Sequence, residues 1–165
     1  MNIGISGPIG AGKTTAAKHL ASTHALSYIR YSEILAEISP RPDPDRQTLR
    51  KLGWDIMSKD QQLFLNQKLL TKMQKGIDYV VDGLRHPLDF ETLSNHPPLY
   101  LLYIDASPHI RWQRISSRDG STTWEEFLAE ENHPIEGYLP ILKEKAYAAL
   151  AWNDLGDRSY NPTLP

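Results

Sequence analysis

Short apolar runs and longer segments of mixed polarity alternate along the chain. Four of the apolar runs predict strands: Asn2–Ser6, Leu26–Tyr31, Asp78–Asp82 and Leu99–Asp105. In the last two, Tyr79-Val80-Val81 and the run from Tyr100 to Ile104 have no polar alternation, which is typical of strands covered on both faces of a parallel sheet. Because helical segments lie between the strands, the pattern predicts a parallel α/β sheet with right-handed crossovers.

Apolar spacing predicts helices between these strands. Lys13–Ser22 carries Ala17, Leu20 and Ala21 on one stripe, which suits a helix that packs on a sheet. A further helix is predicted from Arg46, after a rigid proline-rich loop.

Capping patterns mark three more helix starts. Ser58-Lys59-Asp60-Gln61 has the spacing of a capping box and predicts a helix that Gly76 can end. Ser107 precedes a proline, which predicts a helix from there to about Ser117. Thr123-Trp124-Glu125-Glu126 is another capping box.

Composition and charge exclude several classes of protein. The 165 residues are 40% hydrophobic and 23% charged, as in an ordinary globular domain rather than a disordered or fibrous chain. A net charge of −2 provides no basic field for nucleic acid or an anionic membrane. Cysteine is absent, which excludes a disulfide scaffold, a zinc ribbon, an iron–sulfur site and a thiol nucleophile.

Targeting segments are not predicted. The first residues lack the basic and apolar regions of a signal peptide, and the longest apolar runs fall well short of the ~20 residues of a membrane helix. We therefore expect a soluble, cytoplasmic protein, while the oligomeric state stays open.

The strongest chemical pattern lies between the first strand and the first helix, where the sequence fits G-x-x-x-x-G-K-[ST]. Glycines allow successive backbone N–H groups to turn toward an anion, and the helix N-terminus adds donors and partial positive charge. Lys13 would reach the β- and γ-phosphates, and the Thr14 hydroxyl would ligate Mg²⁺. ATP and Mg²⁺ are thus the predicted cofactors, held by Gly7, Pro8, Ile9, Gly10, Ala11, Gly12, Lys13, Thr14 and Thr15.

The loop predicts a bound nucleotide but leaves the reaction open. GTPases need an Asn-Lys-x-Asp stretch and an Asp-x-x-Gly switch, and neither occurs in this sequence. An AAA+ motor needs a larger module with a helical lid domain, for which 165 residues leave little room. A compact enzyme that phosphorylates a small acceptor fits better.

A second pattern follows the third predicted strand, in Asp82-Gly83-Leu84-Arg85. An acid at the carboxyl end of a parallel strand lies in the crevice where ligands of α/β proteins bind. Asp82 is therefore a candidate for catalysis and for ordering Mg²⁺, and Arg85 for binding the acceptor's phosphate. The alternative is a strand-ending turn with a solvated arginine.

A third pattern is a set of arginines on one helical face. Arg111, Arg114 and Arg118 recur at spacings of three and four, and such donors stabilise the charge of a transferring phosphoryl group. Arg114 and Arg118 are predicted to be catalytic and Arg111 to bind substrate. The alternative is a solvated face, or pairing with Asp119 and the glutamates that follow.

Glu33 follows the second predicted strand and is a candidate for the acceptor side of the site. The alternative is an ordinary glutamate in the first turn of a helix capped by Ser32.

With these patterns, the chain resembles P-loop kinases of the nucleoside monophosphate kinase-like group. The Gly7–Thr14 loop is typical of that group, the Asp82–Pro87 segment is similar to the Asp-Gly-Phe-Pro-Arg segment of adenylate kinases, and the Gln113–Gly120 segment resembles the lid entry of dephospho-coenzyme A kinases.

The resemblance implies a single three-layer P-loop NTPase domain over residues 1–165. A parallel sheet of four or five strands would have helices on both faces, with a small helical lid at about 111–137 and a tail at 156–165. The implied function is Mg·ATP-dependent phosphoryl transfer to a nucleotide-like acceptor, namely a nucleoside or deoxynucleoside monophosphate or dephospho-coenzyme A.

The sequence departs from these families in three places. Adenylate kinases carry an arginine after a Gly-Asp-Leu-Leu stretch, and this chain has Ala36 there. Dephospho-coenzyme A kinases end the second strand in Asp-x-Asp, whereas this chain offers only Glu33 there, so either Glu33 or Asp82 is the candidate base. The family's last strand corresponds to Leu150–Gly156, whose alanine-rich approach favours a helix. Two alternatives therefore stay open: a regulatory ATP-binding module, and a kinase of a small hydroxylated metabolite.

Overall fold

The strands of the computed structural model, which describes residues 1–95 and 98–151, form one sheet. The sheet is parallel, and its strand order is β2-β3-β1-β4-β5. The strands are β1 (Asn2–Ser6), β2 (Ser27–Arg30), β3 (Tyr79–Leu84), β4 (Leu99–Asp105) and β5 (Ala148–Ala151). Because the chain moves to one side of β1 for β2 and β3 and to the other side for β4 and β5, a crevice forms at the carboxyl ends of the central strands.

Helices occupy the connections between strands, as predicted. Within the described ranges they are α1 (Lys13–Thr23), α2 (Tyr31–Ile38), α3 (Arg46–Ser58), α4 (Gln62–Lys72), α5 (Pro87–Ser94), α6 (Pro108–Asp119), α7 (Trp124–Glu131) and α8 (Leu139–Glu144), with a 3₁₀ turn at Pro134–Glu136. The Thr123 capping box at the start of α7 is confirmed in both of its hydrogen bonds.

Two apolar cores lie on opposite faces of the sheet. Helix α1 buries Ala17 and Ala21 against Ile5, Val80 and Ile104. On the other face, the helices from α2 to α5 and α8 bury a larger cluster that includes Leu65, Leu69, Leu84, Leu101 and Leu142. The predicted three-layer α/β P-loop fold is confirmed, because helices cover both faces of a parallel sheet.

A third, smaller cluster joins α6 and α7 to the loop after β1. It consists of Ile9, Ile115 and Phe127, with Trp112 and Trp124 packed against it. The segment predicted as a lid therefore has its own apolar contacts with the phosphate loop, while its movement stays a prediction.

The predicted capping box at Ser58–Gln61 is wrong. Helix α3 continues through Ser58, whose hydroxyl donates to the carbonyl oxygen of Asp55 at 3.2 Å. Asp60 then adopts a left-handed conformation with φ of 55°, and α4 begins at Gln62 and ends at Lys72, before Gly76. The helix was predicted at about the right place, but the serine belongs to the end of the preceding helix.

The alanine-rich run before residue 150 favoured a helix, and this prediction is also wrong because Ala148–Ala151 forms β5. Leu102 is paired with Ala148 and Asp105 with Ala151 in the parallel ladder between β4 and β5. The backbone N–H and C=O groups of Ala148–Ala151 are bonded to the edge of β4, and this pairing overrides the helical preference of a short alanine-rich run. The rest of the Leu150–Gly156 segment and the predicted tail at 156–165 lie outside the described residues.

No helix in the described part of the chain is long and apolar enough to cross a membrane.

Candidate active site

The loop between β1 and α1 has a backbone conformation that only glycine permits at two positions. Gly7 and Gly10 have φ of 139° and 77°. A β-carbon on Gly7 would lie 1.9 Å from the carbonyl oxygen of Ile104, and one on Gly10 would lie 2.7 Å from that of Arg111. The loop is therefore held tightly against β4 and α6, in the place that a phosphate loop requires.

The first turn of α1 presents backbone donors toward this loop. Ala16 donates to the carbonyl oxygen of Gly12 at 3.0 Å, so the N–H groups of Lys13, Thr14 and Thr15 precede the first bond inside the helix. The Lys13 ammonium group folds back over the loop and donates to the carbonyl oxygen of Pro8 at 2.7 Å. These donors and the helix dipole form a cradle for an anion.

The surroundings of Lys13 alter its protonation. Burial, together with the positive charge of Arg85, lowers the pKa of Lys13 from its usual value to about 7. The carboxylates of Glu136 and Asp82 oppose this shift. A negatively charged ligand in the cradle would restore the protonated form, because an adjacent negative charge favours an ammonium ion.

Asp82 lies at the carboxyl end of the sheet and is 4% exposed. Its Oδ2 accepts hydrogen bonds from the Thr14 hydroxyl at 2.7 Å and the Tyr28 hydroxyl at 2.9 Å. Burial and the Asp82 charge raise the pKa of Tyr28, so that this hydroxyl stays a donor. β3 continues two residues beyond Asp82, and the pairing register with β1 shifts at this point.

The Thr14 and Asp82 pair fits a magnesium ion. Mg²⁺ binds oxygen ligands, keeps several of its waters and takes only one or two protein ligands beside phosphate oxygens. Among residues 1–95 and 98–151, no group of three or more histidines, aspartates or glutamates could hold a metal by itself. A site shared with the phosphates of a nucleotide therefore suits this chain better than a site made of protein ligands alone.

Arg85 lies on the same side of the sheet and is fixed through its backbone. The N–H groups of Arg85 and His86 both donate to Oδ2 of the buried Asp89, each at 2.9 Å. The Arg85 guanidinium group is ion-paired with Glu136 in the 3₁₀ turn. Sequence reasoning identified Arg85 and missed Glu136, because nothing in the sequence connects two residues 51 positions apart.

Arg50 of α3 is a further residue that sequence reasoning missed. It is ion-paired with Glu130, and its Nη2 atom lies 3.6 Å from Oε1 of Glu136. Arg50 thus links α3 to the end of α7 and the 3₁₀ turn. Arg46, one turn earlier on α3, contributes to the positive potential at Lys13, so α3 adds two arginines to this side of the site.

The three arginines of α6 lie in three different environments. Arg111 is 4% exposed, donates to the carbonyl oxygens of Ala106 and Ile9, and is ion-paired with Glu131. These contacts support the phosphate loop, and the predicted contact of Arg111 with substrate stays a prediction. Arg114 is half-buried and donates to the carbonyl oxygen of Ala11 at 3.2 Å, at the edge of the loop.

Arg118 and Glu33 are predicted site residues that lie exposed and pair with neighbours on their own segments. Arg118 is 47% exposed and is ion-paired with Asp119, as the alternative interpretation of that helix expected. Glu33 is 52% exposed, and its Oε1 lies 3.1 Å from Nε of Arg30. The structure therefore brings together Lys13, Thr14, Asp82 and Arg85, while the roles predicted for Arg118 and Glu33 stay predictions.

A cavity of about 390 Å³ opens at the carboxyl ends of β4 and β5. Its lining residues are Asp105, Ala106, Ser107, Pro108, Arg111 and Ala151. Because Gly7 packs against Ile104 in β4, this cavity lies on the β4 side of the phosphate loop, whereas Arg85 follows β3 on the other side.

The chain matches the model of a protein family described as "AAA domain" over residues 3–136. This range contains the phosphate loop, Asp82, Arg85 and the whole of α6 and α7. It therefore covers every residue that the sequence predicts for the site.

Curated relatives of the chain are cytidylate kinases. One from Sulfolobus acidocaldarius is 31% identical over 119 residues, which cover 72% of this chain and 62% of the relative. One from Methanosphaerula palustris is 29% identical over 128 residues, covering 78% of this chain and 69% of the relative. The matched part of this chain thus spans about two thirds of the length of these relatives.

Solved structures with the same fold include two shikimate kinases. The enzyme from Bacteroides thetaiotaomicron superposes with a TM-score of 0.60 at 15% identity, covering 96% of this chain and 90% of the other. The enzyme from Acinetobacter baumannii, solved with shikimate, has a TM-score of 0.51 at 20% identity, covering 93% and 84%. At these identities the similarity establishes the fold alone.

Proposed function

This chain belongs to the AAA domain family of P-loop proteins, and on that premise we propose that it is a kinase. It transfers the γ-phosphoryl group of Mg·ATP to a nucleotide-like acceptor. The acceptor is a nucleoside or deoxynucleoside monophosphate, of which cytidylate is the first candidate, or dephospho-coenzyme A. The observation that supports this most is that the Thr14 hydroxyl, beside Lys13 in the phosphate loop, donates to Asp82 of β3 at 2.7 Å at one edge of the sheet.

The donor side consists of the phosphate loop and its neighbours. The N–H groups at the start of α1 bind the phosphates, and Lys13 turns from the Pro8 carbonyl toward the β- and γ-oxygens. Thr14 and Asp82 would hold Mg²⁺, which neutralises charge on the phosphates when it is bound. Arg114, at the edge of the loop, adds a cation beside the moving group.

The acceptor side consists of Arg85 together with α3. Arg85, Arg50 and Arg46 place three guanidinium groups on this side, and an anionic acceptor would exchange part of their present contacts with Glu136, Glu130 and Asp119. A monophosphate acceptor is already ionised, so positioning matters more for it than a general base. A hydroxyl acceptor would lose its proton to Asp82 or Glu33.

Water must be excluded from this site, since otherwise the enzyme would hydrolyse ATP. We infer that the lid at about 111–137 performs this task, with α7 and the 3₁₀ turn closing over the phosphates. The contact of Arg50 with Glu130 and Glu136 supports this, because it connects the lid segment with the acceptor side.

A coupled assay of ADP release tests this function directly. The protein is given Mg·ATP with each of AMP, dAMP, dGMP, dTMP, CMP and dephospho-coenzyme A, and the Lys13→Ala variant is the control. We expect at least one of these acceptors to stimulate ADP release at least about a hundredfold above the variant.

The other outcomes of this assay identify the alternatives. Shikimate and gluconate are assayed in the same way, and stimulation by one of these two alone would replace the nucleotide-like acceptor with a small hydroxylated metabolite. ATP binding without any stimulated ADP release would contradict the kinase and favour a regulatory module. The predicted cytoplasmic location is a separate prediction that this assay does not address.

A further inference from the structure

Glu136 carries a buried carboxylate of which only one oxygen is engaged. Its Oε1 accepts a hydrogen bond from Arg85 and lies 3.6 Å from Arg50. Its Oε2 is buried, and no group in the described ranges of the chain donates to it. The whole residue is 9% exposed, so bulk water does not solvate this oxygen.

A buried carboxylate oxygen without a donor is unfavourable, because the oxygen has lost its hydrogen bonds to water and gained none in return. Such an atom in a native protein calls for a physical reason, and a ligand that supplies the missing donor is one. Lys13 has three N–H donors, but in this structure its ammonium group bonds to the Pro8 carbonyl and no bond from it to Oε2 is present.

The position of Glu136 points to the acceptor as that ligand. The same carboxylate is bonded to Arg85, the residue to which the acceptor's anionic group is assigned, and its charge acts on Lys13. An acceptor bound at Arg85 would lie next to this carboxylate, and it would reach Oε2 when the 3₁₀ turn shifts, since that oxygen has no exposed surface in the structure. Glu130, which is ion-paired with the same Arg50, is 40% exposed and so has access to water.

We propose that Glu136 determines acceptor specificity: its Oε2 accepts a hydrogen bond from an N–H or O–H group of the acceptor whose anionic group binds Arg85. The inference rests on the kinase function proposed above and names the chemistry of its acceptor, an anion with a hydrogen-bond donor nearby. A site built to receive a donor discriminates against an analogue that lacks it, because the analogue leaves the buried oxygen unpaired.

The test measures kcat/KM for acceptors that differ by one donor. The most active nucleoside monophosphate is compared with its 2′-deoxy and 3′-deoxy analogues, and with the analogue whose exocyclic amino group is replaced by hydrogen, such as CMP against the 2-pyrimidinone ribonucleotide. The first two comparisons probe a sugar hydroxyl and the third probes the base. We expect the wild type to prefer the donor-bearing member of one pair by about tenfold or more.

The variant Glu136→Gln separates a role in specificity from a structural role. Its amide directs an N–H group where the carboxylate offers an oxygen, so the wild-type preference should fall to about twofold or less. The matched control is Glu130→Gln, which also loses a partner of Arg50. This control should change kcat/KM for all acceptors by the same factor and leave the preference intact.

The outcomes distinguish the inference from the function on which it rests. If the wild type phosphorylates its acceptor but Glu136→Gln keeps the full preference, the inference is overturned and the kinase stands. If no acceptor stimulates the wild type, the proposed function fails and the inference fails with it. If thermal unfolding shows that Glu136→Gln does not fold, Glu136→Asp takes its place. The shorter side chain moves the carboxylate oxygens away from the acceptor and keeps the charge, so it should reduce the same preference.

Discussion

The Lys13 ammonium group has the most strongly altered chemistry of the residues in the phosphate loop. Burial removes water from it, and Arg85 adds a like charge, so its pKa falls to about 7. In the free protein above that pH, Lys13 is mostly neutral. A triphosphate tail reverses the balance, because its negative charge favours the protonated amine.

We therefore predict that ATP binding takes up a proton at Lys13. At about pH 8 the wild type should take up most of one proton, and at about pH 6 almost none, because Lys13 is then already charged. Calorimetric titrations with ATP in two buffers of different ionisation enthalpy measure this number. In Lys13→Arg the guanidinium group is always protonated, so uptake by the wild type that is no greater than in this variant would contradict the prediction.

Asp89 is a second residue whose burial has a measurable consequence. Burial raises the pKa of Asp89 even though the backbone N–H groups of Arg85 and His86 donate to it. Because the folded value lies above the unfolded one, its contribution to stability is fully present below the unfolded pKa. That contribution is lost as the pH rises through the folded pKa.

We predict that Asp89→Asn stabilises the protein at neutral pH and that the gain shrinks as the pH falls. The asparagine oxygen can accept from both backbone N–H groups. Nε2 of Gln62 now donates to Oδ1 of Asp89, so the Gln62 amide turns over in the variant and its Oε1, which has no donor among the described residues, accepts from the asparagine amide. Thermal unfolding between about pH 4 and pH 8 measures the difference from the wild type. A difference that stays constant or grows toward low pH would show that Asp89 is not held in a raised-pKa state.

Among the elements, the contact between the phosphate loop and α6 decides the shape of the cradle. The backbone of Gly10 lies against Arg111 and Ile115 of that helix. The Arg111 side chain reaches back to the carbonyl oxygen of Ile9. Helix α6 therefore packs against the phosphate loop and holds its backbone in place, and it also positions arginines next to the loop.

Two glycines with nearly the same φ angle allow the effect of this contact to be measured separately. Gly10 has φ of 77° and Gly120 has φ of 76°, yet a β-carbon on Gly120 would meet nothing within 4 Å. We predict that Gly120→Ala costs about 1 kcal/mol from left-handed strain alone, and Gly10→Ala several times as much. Urea unfolding measures both costs.

Nucleotide binding should separate the same two variants. Gly10→Ala displaces the loop from α6 and should weaken ATP binding by about tenfold or more, whereas Gly120→Ala should leave it unchanged within about twofold. Equal effects of the two substitutions on stability and on ATP affinity would argue against the packed loop.

For the whole molecule, the lid segment is tied to both halves of the site. Trp54 of α3 contacts His133 edge-on, and Arg50 is ion-paired with Glu130. The lid segment also contacts the phosphate loop, because Phe127 of α7 packs with Ile9. Ligands on both sides would therefore strengthen contacts that already exist within the described structure.

We predict that ATP and the acceptor together slow cleavage by trypsin after Arg118, at the exposed end of α6. Closure of the lid would order the Gly120–Thr122 connection that follows, which a protease must unfold locally. The rate of cleavage is measured with each ligand alone and with both. The Lys13→Ala variant should show no protection, and an unchanged rate in the wild type with both ligands would mean that this segment is not a lid.

Local pattern was sufficient to predict most of the sheet and the donor half of the site. The first four strands, the phosphate loop and Asp82 each follow from residues that are neighbours in the sequence. Ser58 shows the limit of this reasoning, since the same four residues can begin one helix or end another. Only the length of α3 decides between them.

The sequence by itself determined a parallel α/β domain with a phosphate loop, because hydrophobic alternation and glycine placement act through the nearest backbone groups. Tertiary structure alone decided that Ala148–Ala151 becomes a strand, that Arg111 supports the loop, and that Glu136 faces Arg85 and Arg50. Each of these depends on which surface another element presents after packing. Burial then changes the strength of the charges, as it does at Lys13.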